Sequence, residues 1–209
     1  MKFPGRQVIS VLLPLFTLPF SLFATGCSTP ATLTVRSTER KCSYAQTFSQ
    51  AFASHTEDGT HEFILVADDA IRSAPKETGG PLQPVEKTPL RQVVYIRVLW
   101  QPLTGIEPGV GTNASIDWFV FGDTAGSGND MLEYQGTAMA RIDVGGKGAT
   151  KVTLREGTLK PRAARGTLTD PIGVGRLSGT FTAVNNPARV QELLAAARAR
   201  TADASADAQ

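Results

Sequence analysis

From Tyr44 onward, apolar and polar residues alternate in short runs separated by Gly- and Pro-rich punctuation, the pattern of strands with one face turned inward. Tyr44, Phe48 and Phe52 recur every fourth residue, a spacing that suits a helix face or a strand face equally. Asp58-Gly59, a dipeptide typical of two-residue hairpin turns, decides for strands. A turn centred there sets Phe52 opposite Leu65 and Ser54 opposite Phe63, with Phe48 on the same face near Ala67. The runs Val93–Trp100 and Ser115–Phe121 are the most apolar strands, and the second is apolar on both faces apart from Asp117. Next, Leu132, Tyr134, Ala138, Ala140, Ile142 and Val144 alternate with Glu133, Gln135, Thr137, Arg141 and Asp143, a strand with one wet face. Gly145–Gly148 turns the chain into Thr150–Leu154, and Gly157, Pro161 and Gly166 are expected to interrupt the stretch after it. Beyond a turn at Asp170-Pro171, Leu177, Gly179, Phe181 and Ala183 share one face. Residues 70–90, 102–111 and 122–130 read as loops.

The last periodic segment is helical. Asn186 is suited to the N-cap and Pro187 to the first helical position. Val190, Leu193, Leu194 and Ala197 form one narrow apolar stripe, which predicts packing against the sheet. Arg198 and Arg200 fall near the expected C-terminus, where the helix dipole favours cations. Together these elements predict a mainly β fold: an antiparallel β-sandwich or partly open barrel with one C-terminal amphipathic helix.

The start of the chain has a different character. Residues 1–7 carry Lys2 and Arg6, and residues 8–23 are uncharged and apolar. That run is shorter than the ~20 residues of a membrane-spanning helix and is interrupted by Pro14 and Pro19. It reads as a signal peptide. Ala24-Thr25-Gly26-Cys27 comes directly after it and resembles the lipobox of bacterial lipoproteins, although leucine is more usual where Ala24 stands. The resemblance implies cleavage after Gly26, acylation of the Cys27 thiol and Cys27 as the new N-terminus. Two or three acyl chains anchor stably where one does not. Ser28 at the next position lacks the aspartate that commonly retains lipoproteins in the inner membrane, so the resemblance points to an outer membrane and a periplasm-facing domain.

The expected organisation is therefore a lipoprotein signal peptide (1–26), an acylated N-terminus and tether (27–43), an antiparallel β domain (44–184), a C-terminal helix (185–200) and a disordered tail (201–209). Within 27–43, the Leu33–Val35 alternation is able to join a sheet edge. Composition changes the picture at one point. The whole chain has 21 basic and 19 acidic residues, but the surplus leaves with Lys2 and Arg6. The mature chain is formally neutral, which removes the basis for nucleic-acid binding.

Candidate chemistry is sparse. The only histidines, His55 and His61, lie among Glu57, Asp58, Glu62, Asp68 and Asp69. In the two-residue turn register His55 opposes Glu62 and His61 opposes Thr56, so the imidazoles face opposite ways and no metal site is expected. Gly126-Ser127-Gly128 lacks the frame of a nucleophile elbow. Asp123, Ser127, Asn129 and Asp130 offer oxygen ligands without a calcium-loop spacing. Asn113-Ala114-Ser115 matches a glycosylation acceptor, which carries little weight in a bacterial chain. Trp100 and Trp118 are expected in the core. With Cys27 acylated, Cys42 is the one remaining thiol; Arg40 and Lys41 flank it, and no histidine or carboxylate base stands nearby.

These readings lead to a lipid-anchored cell-envelope module of structural, assembly or recognition character, without catalytic residues, metal or cofactor. Its partners are the membrane, through the acyl chains on Cys27, and an envelope protein. A carrier with an apolar barrel cavity and a hydrolase using Asp68, Asp69, Asp117 or a histidine are the alternatives.

Overall fold

The computed structural model describes residues 31–67, 72–73, 91–101, 111–122 and 130–206. Among them are ten strands: β1 (Ala31–Ser37), β2 (Ser43–Phe48), β3 (Gln50–His55), β4 (His61–Ala67), β5 (Arg72–Ser73), β6 (Arg91–Val98), β7 (Ala114–Phe121), β8 (Met131–Val144), β9 (Ala149–Arg165) and β10 (Gly175–Asn185). The helix α1 (Pro187–Ala206) closes the chain's described part.

The sheet is a closed barrel, antiparallel everywhere except at its closing seam. β3, β4, β6, β7, β8, β9 and β10 pair in that order, and β10 returns to β3 through the parallel pairs Val184↔Phe52 and Asn185↔Ala53. The first half of β10 pairs instead with β1, from Ser37↔Gly175 to Thr32↔Thr180, and β1 pairs in turn with β2. One edge of β10 is thus shared between the first strand of the domain and β3. Of the two architectures expected, the structure is the barrel, closed rather than partly open.

Two apolar clusters divide the wall into an inside and a covered outside. Alternate residues of the long strands point inward, among them Leu33, Val35, Phe48, Phe63, Leu65, Ile96, Trp118, Tyr134, Val152, Leu154, Leu177 and Phe181. They fill the barrel's centre. On the outside, Ile64, Val66, Val93, Tyr95, Phe119, Phe121 and Met131 are covered by Val190, Leu193, Leu194 and Ala197 of α1. This explains the composition of the central strands: β4, β6 and β7 are apolar on both faces because both are buried. The first part of β9 and the later part of β8 alternate buried residues with solvent-exposed polar side chains.

Several expectations are corrected. The β3–β4 register pairs Phe52 with Ile64, Ala53 with Phe63 and His55 with His61, one residue away from the two-residue turn. The cause is a three-residue loop, Glu57-Asp58-Gly59. Thr56 N donates to Thr60 O, Gly59 N donates to Thr56 O, and Gly59 takes the left-handed conformation at φ 84°. That is a type I turn followed by a left-handed residue. Phe48 and Phe52 also part company, because Ser49 N and Oγ both donate to Val66 O, opposite which Gln50 is also paired. The extra residue makes a bulge, so Phe48 points into the barrel and Phe52 packs beneath α1.

Gly157 and Pro161 do not end a strand; β9 runs 17 residues through both. Glu156 adopts φ 50° where the β8–β9 and β9–β10 registers shift, and this bulge absorbs the irregularity. Pro161 lies beyond the last β9–β10 pair, Leu159↔Gly175, where the strand has only one partner and a missing N–H is tolerated. Gly136 is required by closeness: a Cβ there would lie 1.9 Å from Thr158 O on the neighbouring strand.

Within the segment expected as a tether, Ala31–Ser37 is a full strand with Leu33 and Val35 buried in the core. At the other end α1 continues past residue 200 to Ala206. Thr201 Oγ1 donates to Ala197 O, and Arg165 Nη1 on β9 donates to Thr201 O, so the turn expected to be loose is tied down. Residues 207–209 lie outside the described residues. So do the segment expected as a signal peptide with Gly26 and Cys27, residues 74–90 and 102–110 of the expected loops, and Asp68, Asp69, Asp123, Ser127 and Asn129.

Candidate functional site

Two places gather polar side chains that packing alone does not explain. The first is a cleft between α1 and the outer wall, about 340 Å³ in volume and lined by Asp117, Phe119, Glu133, Arg162, Arg198 and Thr201. β7 places Asp117 on the outward face, two residues from Phe119, and β8 places Glu133 across from Phe119. Arg162 Nη1 donates to Glu133 Oε1 at 2.9 Å. Burial raises the pKa of Asp117, while Arg162 and Arg198 pull it back.

Beside the cleft, Tyr95 OH donates to Glu62 Oε1 at 2.6 Å, and Gln191 Nε2 of the helix donates to Glu62 Oε2 at 3.3 Å. Burial, then the Glu62 hydrogen bond and charge, raise the Tyr95 pKa. The Arg200 guanidinium sits 4.4 Å from the centre of the Phe121 ring. These arginines lie in mid-helix because α1 is longer than expected. They interact with the wall rather than with the helix's C-terminal carbonyls. The sequence carried a signal for this site: the lone carboxylate Asp117 on an otherwise apolar strand requires cations on whatever covers it.

The second place is the β3–β4 hairpin tip. His55 and His61 are directly paired across the strands, with ring centroids 4.4 Å apart. Since Thr56 N donates to Thr60 O, the adjacent 55–61 pair is the non-hydrogen-bonded kind, in which side chains approach most closely. The expectation that the two rings face opposite ways is therefore overturned, for the same reason as the register. His61 also stacks on Phe63, with planes 5° apart. Its Nε2 lies 2.6 Å from Nε2 of Gln101, a residue that sequence reasoning passed over. Burial first, then the charge of His55, lower the His61 pKa. The loop that holds the pair is fixed by Asp58 Oδ1, which accepts from Thr56 Oγ1 and from Thr60 N. Those bonds keep the exposed Asp58 carboxyl down at about 2.

The other singled-out residues have structural surroundings. Trp118 is buried as expected, its indole N–H donating to Gln92 Oε1 at 3.1 Å, and Gln92 Nε2 donates to Gln46 Oε1. This polar chain crosses the barrel interior. Trp100 differs from expectation: it lies just past β6 and is 45% exposed. Asn113 is buried, donates to Trp100 O and Ala140 O, and accepts from Ala140 N, clamping the β6–β7 connection to β8. Asp130 accepts from Thr167 N and Oγ1. Cys42 is half-buried against the core, with its Sγ donating to Tyr44 OH at 3.2 Å. Burial and the Cys42 contact push Tyr44 up to about 12.

No family model matches this chain, and neither curated proteins nor solved structures give a match.

Proposed function

We propose that this protein is a lipid-anchored module of the bacterial cell envelope with a structural, assembly or recognition role. Acyl chains on Cys27 would hold it at the membrane, and an outer membrane facing the periplasm is the address that Ser28 favours. The observation that carries the reading is the basic start, the uncharged run 8–23 and the Ala24-Thr25-Gly26-Cys27 ending. Two features of the fold support it. β1 begins at Ala31, so only residues 28–30 stand between the acylated residue and the barrel, a reach of about 14 Å for four residue steps. The barrel's interior is filled by its own side chains, including Trp118, Tyr134, Phe48, Phe63 and Phe181, which favours a module acting through its outer surfaces over a carrier with a central cavity.

The test is intact-mass analysis of the full chain expressed in a bacterium, beside a Cys27→Ala variant. The expected product starts at Cys27, carries three acyl chains and partitions into membranes, and the variant loses all three properties. An unmodified Cys27 thiol or a cleavage elsewhere overturns the proposal.

A further inference from the structure

We propose that His55 and His61 form a two-histidine chelate for a divalent transition metal ion of the zinc class, at the tip of the β3–β4 hairpin. The pair sits at adjacent positions of neighbouring strands in the close-approaching register, with ring centroids 4.4 Å apart. Imidazole nitrogens bind zinc at about 2.0–2.1 Å, so two rings this close reach one ion by side-chain rotation, without a change of backbone. The backbone beneath them is held rigid by the three-residue loop and by the Asp58 bonds to Thr56 and Thr60.

The Nε2 of the half-buried His61 stands within hydrogen-bond distance of the Gln101 amide, whose side chain is exposed and able to swing aside. His55 is exposed, so an ion approaches from solvent. Among the described residues no group of three or more His, Cys, Asp and Glu is assembled. The ion would keep water in its remaining positions, which makes the site open and exchangeable. This inference does not depend on the lipid anchor.

His55 and His61 are the only histidines in the chain, so their ring-proton signals in NMR spectra of the untagged full chain in detergent are assignable by a single substitution. On titration with Zn(II), both signals are expected to move together along one binding curve. In His55→Ala, which alters an exposed side chain and leaves the fold intact, His61 is expected to respond at least about tenfold more weakly, because the second ligand no longer acts at high local concentration. The inference is overturned if neither signal moves in the wild-type protein, or if His61 responds equally in the variant.

Discussion

Leu194→Ala tests whether α1 is an integral part of the barrel's outer wall. Leu194 is 5% exposed and packs with Val190, Leu193 and Ala197 against Ile64, Val93, Phe119 and Met131. Removing a buried leucine side chain to the β-carbon costs about 2–5 kcal/mol, depending on how far the surroundings close the gap. This site lies between a single helix and a sheet, and the helix can settle inward, so the expected cost is about 2–3 kcal/mol. For a urea slope of about 2 kcal/mol per molar, the unfolding midpoint falls by about 1–1.5 M. Equilibrium urea unfolding followed by tryptophan fluorescence reads this, because Trp118 is buried in the core. Ala195→Gly, at an exposed helix position, supplies the comparison; it costs about 1 kcal/mol through helix propensity alone. If Leu194→Ala lies within about 0.5 kcal/mol of wild type, and Ala195→Gly likewise leaves the midpoint unmoved, the helix is not part of the cooperative unit and the two-cluster account of the wall fails.

Asn113→Ala is expected to cost about 3 kcal/mol in the same assay, because it deletes three hydrogen bonds at a buried position and strips Ala140 N–H of its side-chain acceptor. Asp170 predicts a pH dependence. Burial alone would raise its pKa, but hydrogen bonds from Tyr134 OH and the N–H groups of Gly173 and Ile172 outweigh that and lower it. A carboxylate depressed in the folded state stabilises above its unfolded pKa of about 3.9 and loses that contribution as pH falls through the lower folded value. The stability gap between wild type and Asp170→Asn should be full at pH 5–7 and close below about pH 4, as measured by urea midpoints across that range.

The fold was legible where patterning is decided locally. Alternation located the strands, and Asn186 caps α1 as expected, its Oδ1 accepting from Arg189 N at 3.1 Å. The residues apolar on both faces at 93–96 and 118–121 record the footprint of α1, since Val93, Tyr95, Phe119 and Phe121 point outward beneath it. Single-residue insertions were not legible. One extra loop residue at Glu57–Gly59 and a bulge at Ser49 shift register by one, and in a strand a shift of one exchanges the two faces. This is why alternation alone sets His55 and His61 apart while the structure stands them together. The cleft was hidden for a different reason. Asp117, Glu133, Arg162 and Arg198 meet only when a helix from the end of the chain crosses strands β7 to β9, and although apolar residues on both faces of a strand mark a covered patch, they do not say which element covers it or which of its side chains will face Asp117.

The sharing of β10 has a consequence for how the molecule comes into being. Its earlier half binds Thr32–Ser37 and its last residues bind Phe52 and Ala53, so the first strand, paired early with β2 on one side, gains its second neighbour only when the last strand has emerged. A growing chain that has not reached Asn185 is an unsealed ribbon with two bare margins, and sealing it requires contacts between segments some 140 positions apart. Such a polypeptide stays open and threadable until β10 has been made.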